Sequence, residues 1–210
     1  VVYLTELYQS LTDYNSRHQQ HTSVYMQWRN SSNQYGLVSV AIHWVVAVAV
    51  FALFGLGLWM TGLTYYSEWY RTAPALHKSI GVTVFALMFL RVLWRWLTPT
   101  PAPLSSHSPS VRLLSRLGHG LLYLGIFTVL LSGYLISTAD GRGVSVFGLF
   151  AIPVFFSVLP NQADIAGAIH LYVAWGLIVL AVLHGLAALK HHVLDGDDTL
   201  KRMLGRAPKQ

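Results

Sequence analysis

The sequence predicts an all-α integral membrane protein: a four-helix bundle with its N- and C-termini on the cytoplasmic side. Three observations carry that reading. The chain of 210 residues is 54% hydrophobic and only 10% charged, with a mean hydropathy of +0.48. A water-soluble domain carries about a quarter charged residues. Four apolar runs, at 38–61, 76–97, 117–137 and 166–189, each reach the ~20 residues that a helix needs to cross hydrocarbon. The basic residues are also lopsided. With four spans, eleven of the fourteen fall on the side of the termini, and only Arg71, Lys78 and Arg142 fall opposite. An excess of Lys and Arg marks the cytoplasmic face.

Each element has its own reason. Residues 1–36 are polar and rich in Tyr, Gln and Ser, and no apolar core of a cleavable signal precedes the first span. Met26, heading "MQWRNSSNQYG", reads as a natural start, which makes residues 1–25 an upstream extension. The transmembrane domain is expected over 37–192. Span one, "VSVAIHWVVAVAVFALFGLGLWMT", has no charged residue; span two, "LHKSIGVTVFALMFLRVLWRWL", keeps Lys78, Arg91 and Arg95 toward its ends, where long cations snorkel to the interface. The proline- and serine-rich stretch 98–111, "TPTPAPLSSHSPSV", is expected to be a linker, with His107 an exposed residue in it. Residues 138–165 form the longest outer connection. Within it, "VSVFGLFAIPVFFSVL" (144–159) is short and broken by Pro153, so it is expected to lie at the interface or re-enter rather than span. Counting it as a span would throw the C-terminal basic cluster outside. Residues 193–210 form a basic cytoplasmic tail.

Composition also excludes. There is no cysteine, hence no disulfide, thiolate metal site, iron–sulfur cluster or covalently attached c-type haem. No acidic residue lies inside a span, which argues against a transporter driven through buried carboxylates. The net charge of +6 follows membrane sidedness, so nucleic acid is not an expected partner.

The ten histidines are the informative residues. His170 and His184 lie fourteen positions apart in span four. That is about 21 Å of rise and only about 40° short of four whole turns, so both lie on one face near opposite sides of the bilayer. Gly167, Ala174, Gly176 and Gly185 thin that face for a bulky planar group. His43 matches the depth of His184 at the inner side, and His77 matches His170 at the outer side. Two imidazole pairs between helices, sharing span four, suit two haem b groups, each with bis-histidine ligation. Zinc or copper would want three or four ligands converging on one point. His119, at inner depth in span three, is an alternative axial ligand or a hydrogen-bonding, quinone-site residue. His191 and His192 read as solvated or haem-edge groups. Arg91, fourteen residues after His77, is the first choice for an inner haem propionate, with Arg95 next and Lys78 for the outer haem; lipid phosphates are the competing partners of the arginines. Trp44, Trp94, Trp96, Tyr123 and Tyr172 read as interfacial anchors.

The segments "YGLVSVAIHW", "LHKSIGVTVFALMFLRVLWR", "LGHGLLYLGIFTVLLSGY" and "IHLYVAWGLIVLAVLHGLAALKHH" followed by "DDTLKRML" resemble the bacterial cytochrome b561 family over residues 34–205. The resemblance implies a multi-pass di-haem b cytochrome of the bacterial cytoplasmic (inner) membrane, passing electrons between quinone and another donor or acceptor. Superoxide is the proposed donor in one member type, which would make the activity a superoxide:quinone oxidoreduction. The ligand positions it implies are His43, His77, His170 and His184. A second reading is a cytochrome b anchor subunit of a larger dehydrogenase, and a third is a haem-free transporter or scaffold. The reading leaves room for a redox protein partner or a homodimer in the lipid bilayer.

Overall fold

The computed structural model describes residue 6 and residues 27–104, 106–156 and 159–205. The expected start at Met26 and nearly all of the expected extension lie outside these residues, as do His18, His21, Arg17, Arg206, Lys209 and positions 157–158 of the aromatic run. Among the described residues, four helices are long and apolar enough to cross a membrane. They are α1 (Leu37–Thr61), α2 (Thr72–Leu97), α3 (Pro109–Thr138) and α4 (Gln162–Val193). A short α5 (Thr199–Met203) follows.

Three of the helices run past the apolar stretches, and α3 does so behind a side-chain cap. α3 begins at Pro109, inside the expected linker: the Ser108 side chain accepts a hydrogen bond from the Val111 N–H, and proline fits the first helical turn, where its missing N–H costs nothing. The outer connection differs from expectation in kind. Val144–Val146 (β1) pairs antiparallel with Phe150–Ile152 (β2), Val146 opposite Phe150. Phe147 and Gly148 both have positive φ (50° and 72°), and the Leu149 N–H bonds back to the Val146 carbonyl at 3.0 Å. That is the primed turn whose hand matches strand twist. The hairpin is anchored to α2 by the Phe147 N–H, which donates to Ser79 Oγ at 2.9 Å.

α3 packs along α4 and α1 packs along α2, whereas α1 and α4 approach each other only sparsely. The apolar core joins α1, α2 and α3: Val46, Val84 and Met88 are buried, with Ile42, Leu53, Phe127 and Leu130 against them. Large apolar side chains such as Val48, Phe89 and Leu124 stay more than 60% exposed, a surface suited to lipid tails. Between such helices lipid is as apolar as leucine, so close fit rather than water exclusion holds the bundle. Hydroxyls within the helices are satisfied locally: Ser79, Thr83, Ser132, Ser137 and Thr138 each donate to the carbonyl four residues earlier.

At the basic end the chain is tied off. Arg202, 8% exposed, donates to the carbonyls of Ala102 and Asn33, and the Trp44 indole donates to the Met203 carbonyl. Asn30 accepts from the Gly36 N–H and from Ser39 Oγ and donates to Thr98 Oγ1. The segment before α1, the proline-rich linker and α5 therefore meet at one end of the bundle.

Candidate functional site

Two levels of histidine lie along α4. At the end opposite the basic cluster, His77 from the first turns of α2 faces His170 of α4, ring centroids 6.1 Å apart and planes crossed at 66°. At the basic end, His43 of α1 faces His184 of α4 at 6.3 Å and 70°. Two imidazoles sharing one metal through bonds of about 2.0–2.1 Å, plus half a ring on each side, come to roughly 6 Å between centroids. Both separations fit. His119 of α3 lies closer to His184, at 5.1 Å; that is too short for two rings on opposite sides of one metal. His119 is exposed, and its Nδ1 donates to the Ser115 carbonyl at 2.6 Å.

The two levels differ in what holds the rings. His170 Nδ1 donates to the Val129 carbonyl at 2.9 Å, with Ser132 Oγ at 3.2 Å. That bond puts the proton on Nδ1 and leaves Nε2 with a free lone pair. Both outer rings back onto glycine. A Cβ on Gly133 would lie 3.1 Å from His170 Cε1, and one on Gly57 3.3 Å from His77 Cε1. His77 Nδ1 is buried without a partner among the described residues. At the inner level Arg91 dominates: its Nε donates to Tyr123 Oη at 2.9 Å and its terminal nitrogen lies 3.2 Å from His43 Nδ1. A guanidinium only donates, so His43 Nδ1 accepts and the neutral ring keeps its proton on Nε2. His170 and His43 therefore hold opposite tautomers.

The other expected site residues separate. Lys78 is exposed at the outer end of α2. Arg95, also exposed, joins Arg91, Tyr35, Trp94 and Tyr123 in the wall of a cleft beside the inner level. Tyr123 is thus more than an interfacial anchor. The glycines expected to thin the α4 face, Gly167, Gly176 and Gly185, would meet nothing within 4 Å if given a Cβ; the glycines that touch the rings are Gly57 and Gly133, on α1 and α3. His107 and His191, expected to be exposed or solvated, are half-buried and meet Asp197 instead. His192 is half-buried too, its Nδ1 without a partner among the described residues. Of the three outer cations, Arg142 is bonded to Asp140 by two guanidinium nitrogens. The side-chain and backbone hydrogen bonds from Arg142 hold the Asp140 carboxyl below its usual range.

The profile of a family described as prokaryotic cytochrome b561 matches residues 34–206, which include all four of these histidines. The chain belongs to that family. It is 52% identical to cytochrome b561 homolog 2 of Escherichia coli (strain K12) over 182 residues, 87% of this chain and 97% of the relative. It is 30% identical to the probable superoxide oxidase CybB of Yersinia pestis over 173 residues, 81% of this chain and 96% of the relative. Cytochrome b561 homolog 1 of E. coli K12 is 26% identical over 180 residues, 83% and 98% of the two chains. The protein is a prokaryotic multi-pass membrane cytochrome, and haem b is the cofactor that the family implies. The residues present fit such a group: facing imidazoles at metal-sharing separation, one with its Nε2 lone pair free, backed by glycine.

Proposed function

We propose that this cytochrome b561 carries two haem b groups and passes electrons across the cytoplasmic membrane between the quinone pool and a small reductant, superoxide among the candidates. The observation that carries the reading is the pair of facing imidazoles at each level, 6.1 and 6.3 Å apart, with α4 contributing to both. In this reading His77 and His170 hold the outer haem, and His43 and His184 the inner one. When bound, haem supplies a one-electron iron couple. Two histidines at each level would hold the iron of a haem there and would leave no ligand position open to oxygen.

The chain's own residues tune the levels differently. Val129 and Ser132 hold the His170 tautomer that coordinates through Nε2, as a second layer does for a ligating histidine. For His43 to coordinate through Nε2, Arg91 must give up Nδ1 for another acceptor. A propionate is an acceptor of the right charge, and Tyr123 keeps the guanidinium close by. His119, exposed beside His184, is suited to hydrogen-bond a quinone head group at the inner side. Lys78 is suited to the outer haem and, with Arg71, to drawing in an anion. The name of the Yersinia relative supports superoxide as that anion.

The purified, detergent-solubilised chain should show b-type reduced-minus-oxidised bands, and ubiquinol alone should reduce it. A superoxide source should also reduce it, with added superoxide dismutase abolishing the effect. A chain whose haem accepts electrons only in the presence of a dehydrogenase partner would instead be an anchor subunit.

A further inference from the structure

We propose that His107, His191 and Asp197 form a site for a divalent transition metal of the zinc class at the basic end of the bundle, separate from the four haem-level histidines. The three side chains come from different stretches: the linker before α3, the last turn of α4 and the turn before α5. Their ligand atoms all lie within 4.8 Å of one another. His107 Nε2 is 2.8 Å from Asp197 Oδ2, and His191 Nδ1 is 3.7 Å from the same oxygen. The side chains are only 16%, 18% and 9% exposed, in the order His107, His191, Asp197.

The surroundings suit an ion. The other oxygen of Asp197 accepts the Thr199 N–H at 2.8 Å, which turns Oδ2 toward the two rings. Asp195 flanks the group: its Oδ2 is 2.6 Å from His191 Nδ1, and both of its oxygens accept from Lys190 Nζ. Tetrahedral zinc, with bonds of about 2.0–2.1 Å, separates its ligand atoms by roughly 3.4 Å. The 2.8 and 3.7 Å contacts bracket that value, so small side-chain rotations make the room. Two imidazoles and one carboxylate favour zinc over magnesium or calcium, which take oxygen ligands. Asp195 or water fills the fourth position. A metal here ties the proline-rich linker to the end of α4, and with it the chain on the basic side of the inner histidine level.

The test uses the full-length chain without a polyhistidine tag, purified with its haem and stripped of loose metal by chelator. Zinc alone is then titrated in competition with a chromophoric chelator. The wild-type chain should take up one zinc, and X-ray absorption at the zinc edge should show two imidazoles in its shell. His107→Gln and His191→Gln, each checked for an unchanged haem spectrum, should weaken zinc by more than the ~10–100-fold typical of losing a second-layer partner. A wild-type chain with no saturable zinc, or one binding zinc no better than the doubly substituted chain, would mean a histidine–aspartate ion pair only and would overturn the proposal.

Discussion

The outer and inner histidine levels share α4 and nearly the same ring separation, 6.1 against 6.3 Å, yet they are supported by opposite chemistry. The outer level is held by backbone and by absence of bulk: the Val129 carbonyl behind His170, and glycine against each ring. The inner level is held by charge, with Arg91 between His43 and Tyr123 and a third histidine close by. A neutral, sterically framed level should respond to changes of shape. A level framed by an arginine should respond to changes of charge.

The sharpest way to break that comparison is to remove ligands one level at a time. His77→Ala or His170→Ala should lose the outer haem and keep the inner, and His43→Ala or His184→Ala the reverse; pyridine haemochrome assay should read a drop of one haem per chain in each case. Should any one of them lose both, or none, the pairing is wrong. Next in size is Gly133→Ala. Its methyl would sit 3.1 Å from His170 Cε1 and 3.3 Å from Nδ1, an overpacking of about 1–3 kcal/mol against a ring already fixed by a hydrogen bond. Outer-haem occupancy should fall while the inner is spared. Gly125→Ala is the control, since its methyl meets Leu177 at 3.3 Å rather than a histidine.

Arg91→Leu should act on the inner level alone. Removing a cation beside an iron that gains an electron disfavours the reduced form, so the inner potential should fall by tens of millivolts, on the order set by one charge at effective ε ≈ 20. The outer potential, about 20 Å away along α4, should hold still, and Arg91→Lys should restore most of the loss; redox titration followed at the b-band reads both. The smallest effect is expected for Ser132→Ala. Ser132 Oγ already donates to the Thr128 carbonyl at 2.7 Å, and its 3.2 Å contact with His170 Nδ1 is longer than the 2.9 Å bond to the Val129 carbonyl, so the outer potential should shift by a few millivolts at most, far less than with Arg91→Leu.

The two levels also differ in how readable they are from the chain. Spans and histidine depths follow from local rules: a run of apolar residues must be helical in lipid, and a fourteen-residue spacing returns to the same face. The four long helices accordingly match the apolar runs, and the start of α3 is moved into the linker by the Ser108 cap. What supports each ring was not legible, because it comes from other helices. Gly57 and Gly133 are ordinary-looking glycines until α2 and α4 place histidines over them. The sequence offers Arg91 to a propionate but does not reveal that it meets His43 and Tyr123, 48 and 32 positions away. His107 meets Asp197 across 90 residues, and no periodicity connects a linker with a tail. For the run 144–159 the sequence predicts an interfacial or re-entrant segment, and it does not reveal that residues 144–152 form a hairpin turning at Phe147 and Gly148; positive φ at a phenylalanine has no sequence signature.

The central claim is that one chain holds two haems, one for each facing pair of rings. Iron and haem b should be counted per chain in the detergent-purified protein, by metal analysis against quantitative amino-acid analysis and by pyridine haemochrome. The account predicts two haem b per polypeptide. A saturated value of one would contradict it, leaving one of the two histidine pairs as packing alone.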